Sequence, residues 1–419
     1  MTRSHTDYNT IEDLAPAAPS RIPSVWLRSS TWNPIIYRKR IERVDNGIEP
    51  GSLVRVRDAA SATIGFGFYN PKAEVTVRML SFGADPPDAG WWRERLASAV
   101  ALRRDQLRLD DVTSAYRVIH AEGDYLSGLV VDRYADVLSA EAYSLAMHRR
   151  AVPILEQIGE LLGTRHWILR GSPHLLAQEG FDAEPTASPD CPPQTLMEEA
   201  GTKYRVRFRG GHKTGFFCDQ RDNRARLADL CRGRTVLDLC CYSGGFAVHA
   251  KRLGAAEVTA VDIDEEPLRL AKENANLNQV RVQFAQSDAF AYMRDMLRNG
   301  RSYDVIVLDP PKLIHGRLEL EEGTRKHFDL NRLAMQLVRP GGLLLTCSCS
   351  GLLTWSEFQK LLVSASLQSG SPYTLPDGRV RHASRPLQFL GTSGAAADHP
   401  TAANCPESEY LRAYWLRLG

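Results

Sequence analysis

The residues with the most chemical content lie in the second half of the chain. Val236-Leu-Asp-Leu-Cys-Cys-Tyr-Ser-Gly-Gly-Phe246 reads as a buried strand ending in a small-residue turn that opens a helix. Gly244 and Gly245 let a backbone approach a ligand closely, and Asp238 stands at the strand's carboxyl end. Eighteen residues after Gly244, a second strand, Glu257–Val261, ends in Asp262, an acid able to accept both hydroxyls of an adenosine ribose. A third strand ends at Ser287-Asp288-Ala289, where a carboxylate and a small residue can meet an adenine edge. The fourth runs into Asp309-Pro310-Pro311-Lys312, whose prolines stiffen the acid and remove two donors. The fifth ends Thr346-Cys347-Ser348-Cys349-Ser350-Gly351. A thiolate at Cys349 would be the nucleophile that chemistry at a pyrimidine C5 requires, because C5 becomes nucleophilic only after addition at C6. The G-x-G-x-x-G of dinucleotide enzymes is missing from the first turn. Ahead of these strands, Gly210-Gly-His-Lys-Thr-Gly-Phe-Phe-Cys-Asp-Gln-Arg-Asp-Asn-Arg224 has the glycines, aromatics and charges of a loop that closes over a ligand.

The elements that must hold these residues alternate. TVLDLC, EVTAVDI, RVQFAQSD, YDVIVLD and GLLLTCS read as buried strands separated by helical patterns, which means a doubly wound, mostly parallel sheet. Upstream the texture differs. Residues 1–20 are polar and rich in Ala and Pro and read as a disordered tail. SLVRVRD (52–58), ATIGFGFYN (62–70) and AEVTVRML (73–80) predict a small β-rich module, with ten Lys/Arg against five Asp/Glu over 21–80. A helix is predicted over 91–107, one strand-like run over 128–143, a helix near 152–162, a strand at 167–171 and a Pro-rich linker at 182–195. With 419 residues, two to four domains are expected. A net charge of +2 does not by itself establish a nucleic-acid partner, and although 43 of the 52 cations are Arg, that bias decides nothing alone. Eight Cys without a CxxC repeat suggest reduced thiols, no disulfide framework and no metal site. With no long apolar run and no signal-like amino terminus, a cytoplasmic chain with no membrane partner is expected.

Taken together, these motifs resemble the bacterial large-subunit ribosomal RNA methyltransferase I family, which is cytosine-C5 specific, over nearly the whole chain after residue 20. GGHKTGFFCDQRDNR is similar to that family's GxKTGFxxDQRxNR, VLDLCCYSGGF to its motif I, DPPK to its motif IV and SCSG to its motif VI. EGDYLSGLVVDRYAD (122–136) resembles its EGDxLPGLxVDRY, with Ser127 where Pro is common. The resemblance implies a PUA domain at 21–90, a central α+β domain with linker at 91–195, and a Rossmann-like class I methyltransferase domain at 196–419. It implies S-adenosylmethionine as cofactor and large-subunit ribosomal RNA as partner; a second copy of the chain is a further candidate partner that the sequence leaves open. Asp238, Tyr242, Gly244, Asp262, Ile263, Asp288, Ala289 and Asp309 are implied to line the cofactor pocket. A lid over Lys213–Arg221 would add Lys213, Thr214, Phe217, Asp219 and Arg221. Cys349 matches the family's proposed nucleophile, and Asp309 is the candidate donor to cytosine N3. Lys312 stands where two-Cys RNA cytosine methyltransferases carry their second Cys, which implies a one-Cys enzyme. Two alternatives stand beside this reading: an RNA methyltransferase acting on a guanine or adenine nitrogen, and a non-catalytic RNA-binding protein that retains the fold.

Overall fold

Runs of β-branched and aromatic residues between Pro50-Gly51 and Asn70-Pro71 make strands where the pattern places them. A computed structural model describes residues 8–18, 21–208 and 215–419 and shows Ser52–Arg57, Thr63–Tyr69 and Val75–Phe82 as strands. The chain divides into two compact units. One holds the chain up to Glu199 with Val206–Cys218 and Ala397–Ser408; the other holds Ala200–Arg205, Asp219–Ala396 and Glu409–Gly419.

The first unit carries two larger sheets. A six-stranded sheet is ordered Ile35–Tyr37, Val75–Phe82, Thr63–Tyr69, Ser52–Arg57, Ser24–Leu27, Ile41–Val44. Val25, Leu27, Ile36, Val54, Val56, Val77 and Met79 form its core. Gly65 and Gly67 are there because a Cβ at either would overlap the Ser81 or Arg78 carbonyl oxygen of the neighbouring strand. A five-stranded sheet follows, ordered Thr186–Ala187, His166–Arg170, Val137–Ala142, Leu129–Tyr134, Ala115–His120. The helix Leu145–Leu162 buries Met147, Ala151, Ile154, Ile158 and Leu162, one stripe at spacings of three and four, in the adjoining core.

Three expectations are corrected here. The run 128–143 is two strands, because the turn at Ala135, with φ of 53°, carries no Gly or Pro to announce it. The helix expected near 152–162 starts at Leu145, capped by the Ser144 hydroxyl, which accepts from the Met147 N–H at 3.3 Å. Residues 8–18 are not a loose tail. Ile11 and Leu14 are each only 5% exposed, packed in the core that holds Trp92 and Leu96, and the Tyr8 hydroxyl accepts from Arg150 at 2.5 Å. Two apolar side chains three apart, with Asp13 accepting from the Asn9 and Thr10 N–H groups at 2.9 Å, suffice to dock a polar segment.

A fourth difference concerns continuity: Ala397–Ser408 groups with the first unit, so the span 196–419 is not one body. Asp398 explains this. It is fully buried, its carboxylate accepts from the Arg117 N–H at 2.8 Å, and its carbonyl accepts from Arg103 at 2.6 Å. Arg103 in turn makes two bonds, of 2.6 and 2.8 Å, to Asp124.

The second unit is built on seven strands: β1 (Thr235–Leu239), β2 (Glu257–Asp262), β3 (Gln283–Gln286), β4 (Tyr303–Leu308), β5 (Val338–Ser348), β6 (Leu387–Ser393) and β7 (Arg412–Leu418). Their order is β3-β2-β1-β4-β5-β7-β6, with β1–β5 parallel and β7 antiparallel to both β5 and β6. The helices are α1 (Arg221–Cys231), α2 (Gly245–Arg252), α3 (Glu265–Leu277), α4 (Ala289–Arg298), α5 (Leu320–Leu337) and α6 (Trp355–Ser366). Two separate apolar clusters pack on this sheet, one with α4, α5 and α6 and the other with α1, α2 and α3, which is the doubly wound arrangement. The strand order reverses between β1 and β4, so ligand chemistry is expected at the carboxyl ends of those two strands. Among the described residues no helix is long and apolar enough to cross a membrane.

Packing at the amino terminus is directly measurable. Leu14→Ala should cost about 2–5 kcal/mol of unfolding free energy in a denaturant titration, as other buried leucines do. A disordered tail would give no change.

Candidate active site

The turn after β1 is held in an unusual backbone shape. Cys240, Tyr242 and Gly244 have φ of 61°, 49° and 78°. For the two non-glycine residues this costs about 1–2 kcal/mol each, so surrounding groups must hold it. The Asp262 carboxylate accepts the Tyr242 N–H at 2.7 Å and the Asp264 N–H at 3.1 Å. Asn274 donates to the Ser243 carbonyl at 3.0 Å, and the buried Tyr204 hydroxyl donates to the Gly245 carbonyl at 2.9 Å. At Gly244 a side chain would be strained by the positive φ and would press on Ala271, 3.1 Å away. The expected glycine turn is therefore a rigid loop opening α2.

Acids converge on this loop. Asp238 is 1% exposed; its Oδ2 accepts the Ala247 N–H at 3.0 Å, while its Oδ1 has no hydrogen-bond partner among the described residues. Burial pushes its carboxyl well above the usual carboxylate range. The Ala247 N–H opposes that, and the charges of Asp309 and Asp262 add to it. Asp288 is exposed and caps α4, accepting the Ala291 N–H at 3.0 Å. Beside Asp262, Ile263 is 61% exposed, an apolar side chain left in the open. Burial, then the charges of Asp262, Asp309, Asp238 and Asp288, push the Cys240 thiol up, so all four acids act on one turn.

The strand pairing brings the last two motifs together. Leu308 of β4 pairs with Thr346 of β5, so Asp309-Pro310 and Cys349 leave adjacent strands at the same end. Cys349 is half-buried with its Sγ 4.0 Å from the Pro310 carbonyl oxygen. Cys347 is fully buried, and burial, followed by the Asp309 charge, pushes its thiol well above the ordinary range. Cys349, one residue past the end of β5, is thus half-buried, while Cys347 within the strand is sealed in the core.

Only part of the segment expected to be a lid is described. Lys213 and Thr214 lie outside the described residues. Asp219 and Arg221 are 7% and 5% exposed and lie in the tightly packed entry into α1. The Asp219 carboxylate accepts from the Tyr410 hydroxyl at 2.6 Å. Phe217 is half-buried in the first unit, directly after Phe216, whose N–H donates to the Tyr134 hydroxyl at 3.0 Å. Sequence reasoning missed the importance of Gln220, which donates to Asp309 Oδ2 at 3.0 Å, and of Asn223, which donates to Gln220 at 2.6 Å. Both sit in the DQRDNR string; only the polar pair in a helix start could have marked them.

A family profile described as S-adenosylmethionine-dependent methyltransferase matches residues 148–357, and one described as a PUA-like domain matches 31–82. The chain is 36% identical over 396 residues to the ribosomal RNA large subunit methyltransferase I of Tolumonas auensis, covering 92% of this chain and 95% of that protein. The protein of that name from Vibrio cholerae is 33% identical, again covering 92% and 95%. The chain belongs to the ribosomal RNA large subunit methyltransferase I family. Among solved structures it is similar in fold to SMU.776, described as a methyltransferase and solved with SAH. The TM-score is 0.78 at 18% identity, over 94% of this chain and 99% of that one.

As in the S-adenosylmethionine-dependent methyltransferase family, the cofactor is S-adenosylmethionine, and the residues present fit it. The buried, unpartnered Oδ1 of Asp238 and the field of four carboxylates call for a cationic ligand with hydrogen-bond donors, and a sulfonium that carries an amino group is one.

The raised Asp238 carboxyl gives a pH signature. Below about pH 4 the acid is protonated in both folded and unfolded chains, and its burial carries no ionisation cost. As pH rises from there through the folded value, the unfolded chain ionises first and the folded state loses stability. Asp238→Asn should therefore melt higher than the wild type near pH 7 without cofactor, with the difference vanishing toward pH 3, and should bind cofactor more weakly. Parallel melting curves across that range check both.

Proposed function

We propose that this chain methylates C5 of a cytosine in large-subunit ribosomal RNA, using Cys349 as the nucleophile. The observation that carries the reading is the half-buried Cys349 thiol facing the Pro310 carbonyl of the DPPK segment, with Cys347 sealed two residues earlier. The names of the related proteins support the ribosomal RNA substrate. The PUA-like module supplies RNA affinity: its net positive charge suits phosphate contacts, and Trp32, 70% exposed and 5.4 Å from the Phe82 ring, suits a base face.

In this reading Asp262 receives the two ribose hydroxyls on lone pairs that the Tyr242 and Asp264 N–H groups leave over. Ile263 lies against the adenine face, and Asp288 and Ala289 meet the adenine edge at the start of α4. Asp238 takes the amino group on its Oδ1. Bound S-adenosylmethionine supplies a methyl group on a positively charged sulfur, the electrophile the reaction needs. The target cytosine leaves its stack, at a cost of a few kcal/mol. The Cys349 thiolate adds to C6 and the C5–C6 electron pair becomes enamine-like, while Asp309 donates a hydrogen bond or proton at N3. Once C5 carries the methyl group, a base takes the C5 proton, the C5–C6 double bond re-forms as the thiolate leaves, and N3 gives its proton back to Asp309. Lys312 is exposed, and no second Cys follows Pro311 to assist.

Two outcomes are expected. Asp262→Ala should lose about ten- to a hundred-fold in cofactor affinity by calorimetry, the cost of about 1.5–3 kcal/mol for charge-assisted hydrogen bonds; unchanged affinity would refute the site. Cys349→Ala should bind cofactor and RNA yet make almost no 5-methylcytosine by nucleoside mass spectrometry, whereas Cys347→Ala stays active. Substantial methylation by Cys349→Ala would move the target to a nitrogen.

A further inference from the structure

A single file of hydrogen bonds runs from the antiparallel edge of the second unit to Asp309. The Trp415 indole N–H of β7 donates to the Ser393 hydroxyl of β6 at 2.8 Å. Ser393 donates to Asn223 Oδ1 at 2.6 Å, Asn223 Nδ2 donates to Gln220 Oε1 at 2.6 Å, and Gln220 Nε2 donates to Asp309 Oδ2 at 3.0 Å. Gln220, Asn223 and Trp415 are 3%, 1% and 2% exposed, so water does not compete for these bonds. The direction of the file is not arbitrary. An indole nitrogen can only donate, so the Ser393 hydroxyl accepts there, and its own hydrogen goes to the Asn223 Oδ1 that lies 2.6 Å away. That presents the oxygen of Asn223 to Ser393 and its amino group to Gln220. It then presents the oxygen of Gln220 to Asn223 and its amino group to Asp309. Two amides that could each face either way are thereby held one way by a tryptophan three residues along the file. The Gln220 amide also faces the Cys347 thiol.

We propose that Gln220, oriented through Asn223 and Ser393 by Trp415, is a positioning residue that keeps Asp309 Oδ2 an acceptor and so commits any proton on that carboxyl to Oδ1. The inference rests on the proposed role of Asp309 at the cytosine. A carboxyl that must donate to N3 works only if its proton sits on the oxygen facing the base. An amide N–H on the other oxygen enforces that, and an amide C=O there would draw the proton away from the base.

Asn223→Asp tests this without touching Asp309 or Gln220. A carboxylate of the same shape cannot donate to Gln220, so the Gln220 amide turns round and presents its oxygen to Asp309. Single-turnover methyl transfer, at saturating S-adenosylmethionine and as a function of pH, should slow at least about ten-fold. Its alkaline limb should move to higher pH, because an amide oxygen disfavours the carboxylate; the added charge pushes the same way, so an uncharged variant must isolate the amide. Trp415→Phe, which keeps a buried ring and removes only the fixed donor, should move the same limb in the same direction by less, and it decides the matter if Asn223→Asp does not fold. A limb that stays in place in the folded variants, whether the rate falls or not, assigns the file a packing role and overturns the inference. Asp309→Asn separates the two layers. If it methylates at the wild-type rate, the reading of Asp309 fails. If it is slow while both file variants keep the wild-type profile, only the positioning inference fails.

Discussion

Four carboxylates share the carboxyl edge of one parallel sheet, and the second unit is organised around tolerating them. Asp238, Asp262, Asp288 and Asp309 come from β1 and from the ends of β2, β3 and β4, and their charges all act on the Cys240 turn. Like charges so close, one of them almost wholly buried, are costly. Each cost is met differently. Asp238 holds its proton to higher pH, Asp262 accepts two backbone N–H groups, Asp288 caps a helix, and Asp309 accepts from a buried amide. On the proposed reading, a cationic cofactor relieves what remains, and the acids that destabilise the free protein are the ones that select it.

The same edge separates the two thiols of β5. Cys347 points into a core where burial keeps it protonated, and Cys349, two residues on, lies past the last strand residue beside the Pro310 carbonyl. The difference comes from where β5 ends relative to β4, fixed by the Leu308–Thr346 pairing.

Much of this was legible because the informative signals were local. Each strand of the parallel sheet is a short apolar run, each ends in a residue of distinctive chemistry, and their order gives the sheet. The Cys347/Cys349 distinction was readable from position alone. What was not legible depended on distant chain segments. The turn at Ala135 has no glycine, so two strands read as one. The docking of Ile11 and Leu14 needs a core drawn from residues between Phe68 and Leu169, and a polar, Pro-rich composition hides it. The return of Ala397–Ser408 to the first unit turns on buried contacts of Asp398 with Arg103 and Arg117, nearly 300 residues earlier. The Gln220 file needs Ser393 and Trp415, which only the β6–β7 pairing brings within reach. In the segment read as a lid, the burial of Asp219 and Arg221 at the start of α1 was not legible, since glycines and charges beside a helix start look alike whether they cover a ligand or brace it.

The most direct test of the central claim is a covalent trap. RNA carrying 5-fluorocytosine at the target cannot lose a C5 proton, so the thiol adduct cannot be expelled after methyl transfer. Incubated with the protein and S-adenosylmethionine, digested and read by mass spectrometry, it should yield a methylated fluorocytosine bonded to the peptide that contains Cys349. An adduct on a different residue, or methylation with no adduct at all, would contradict the account.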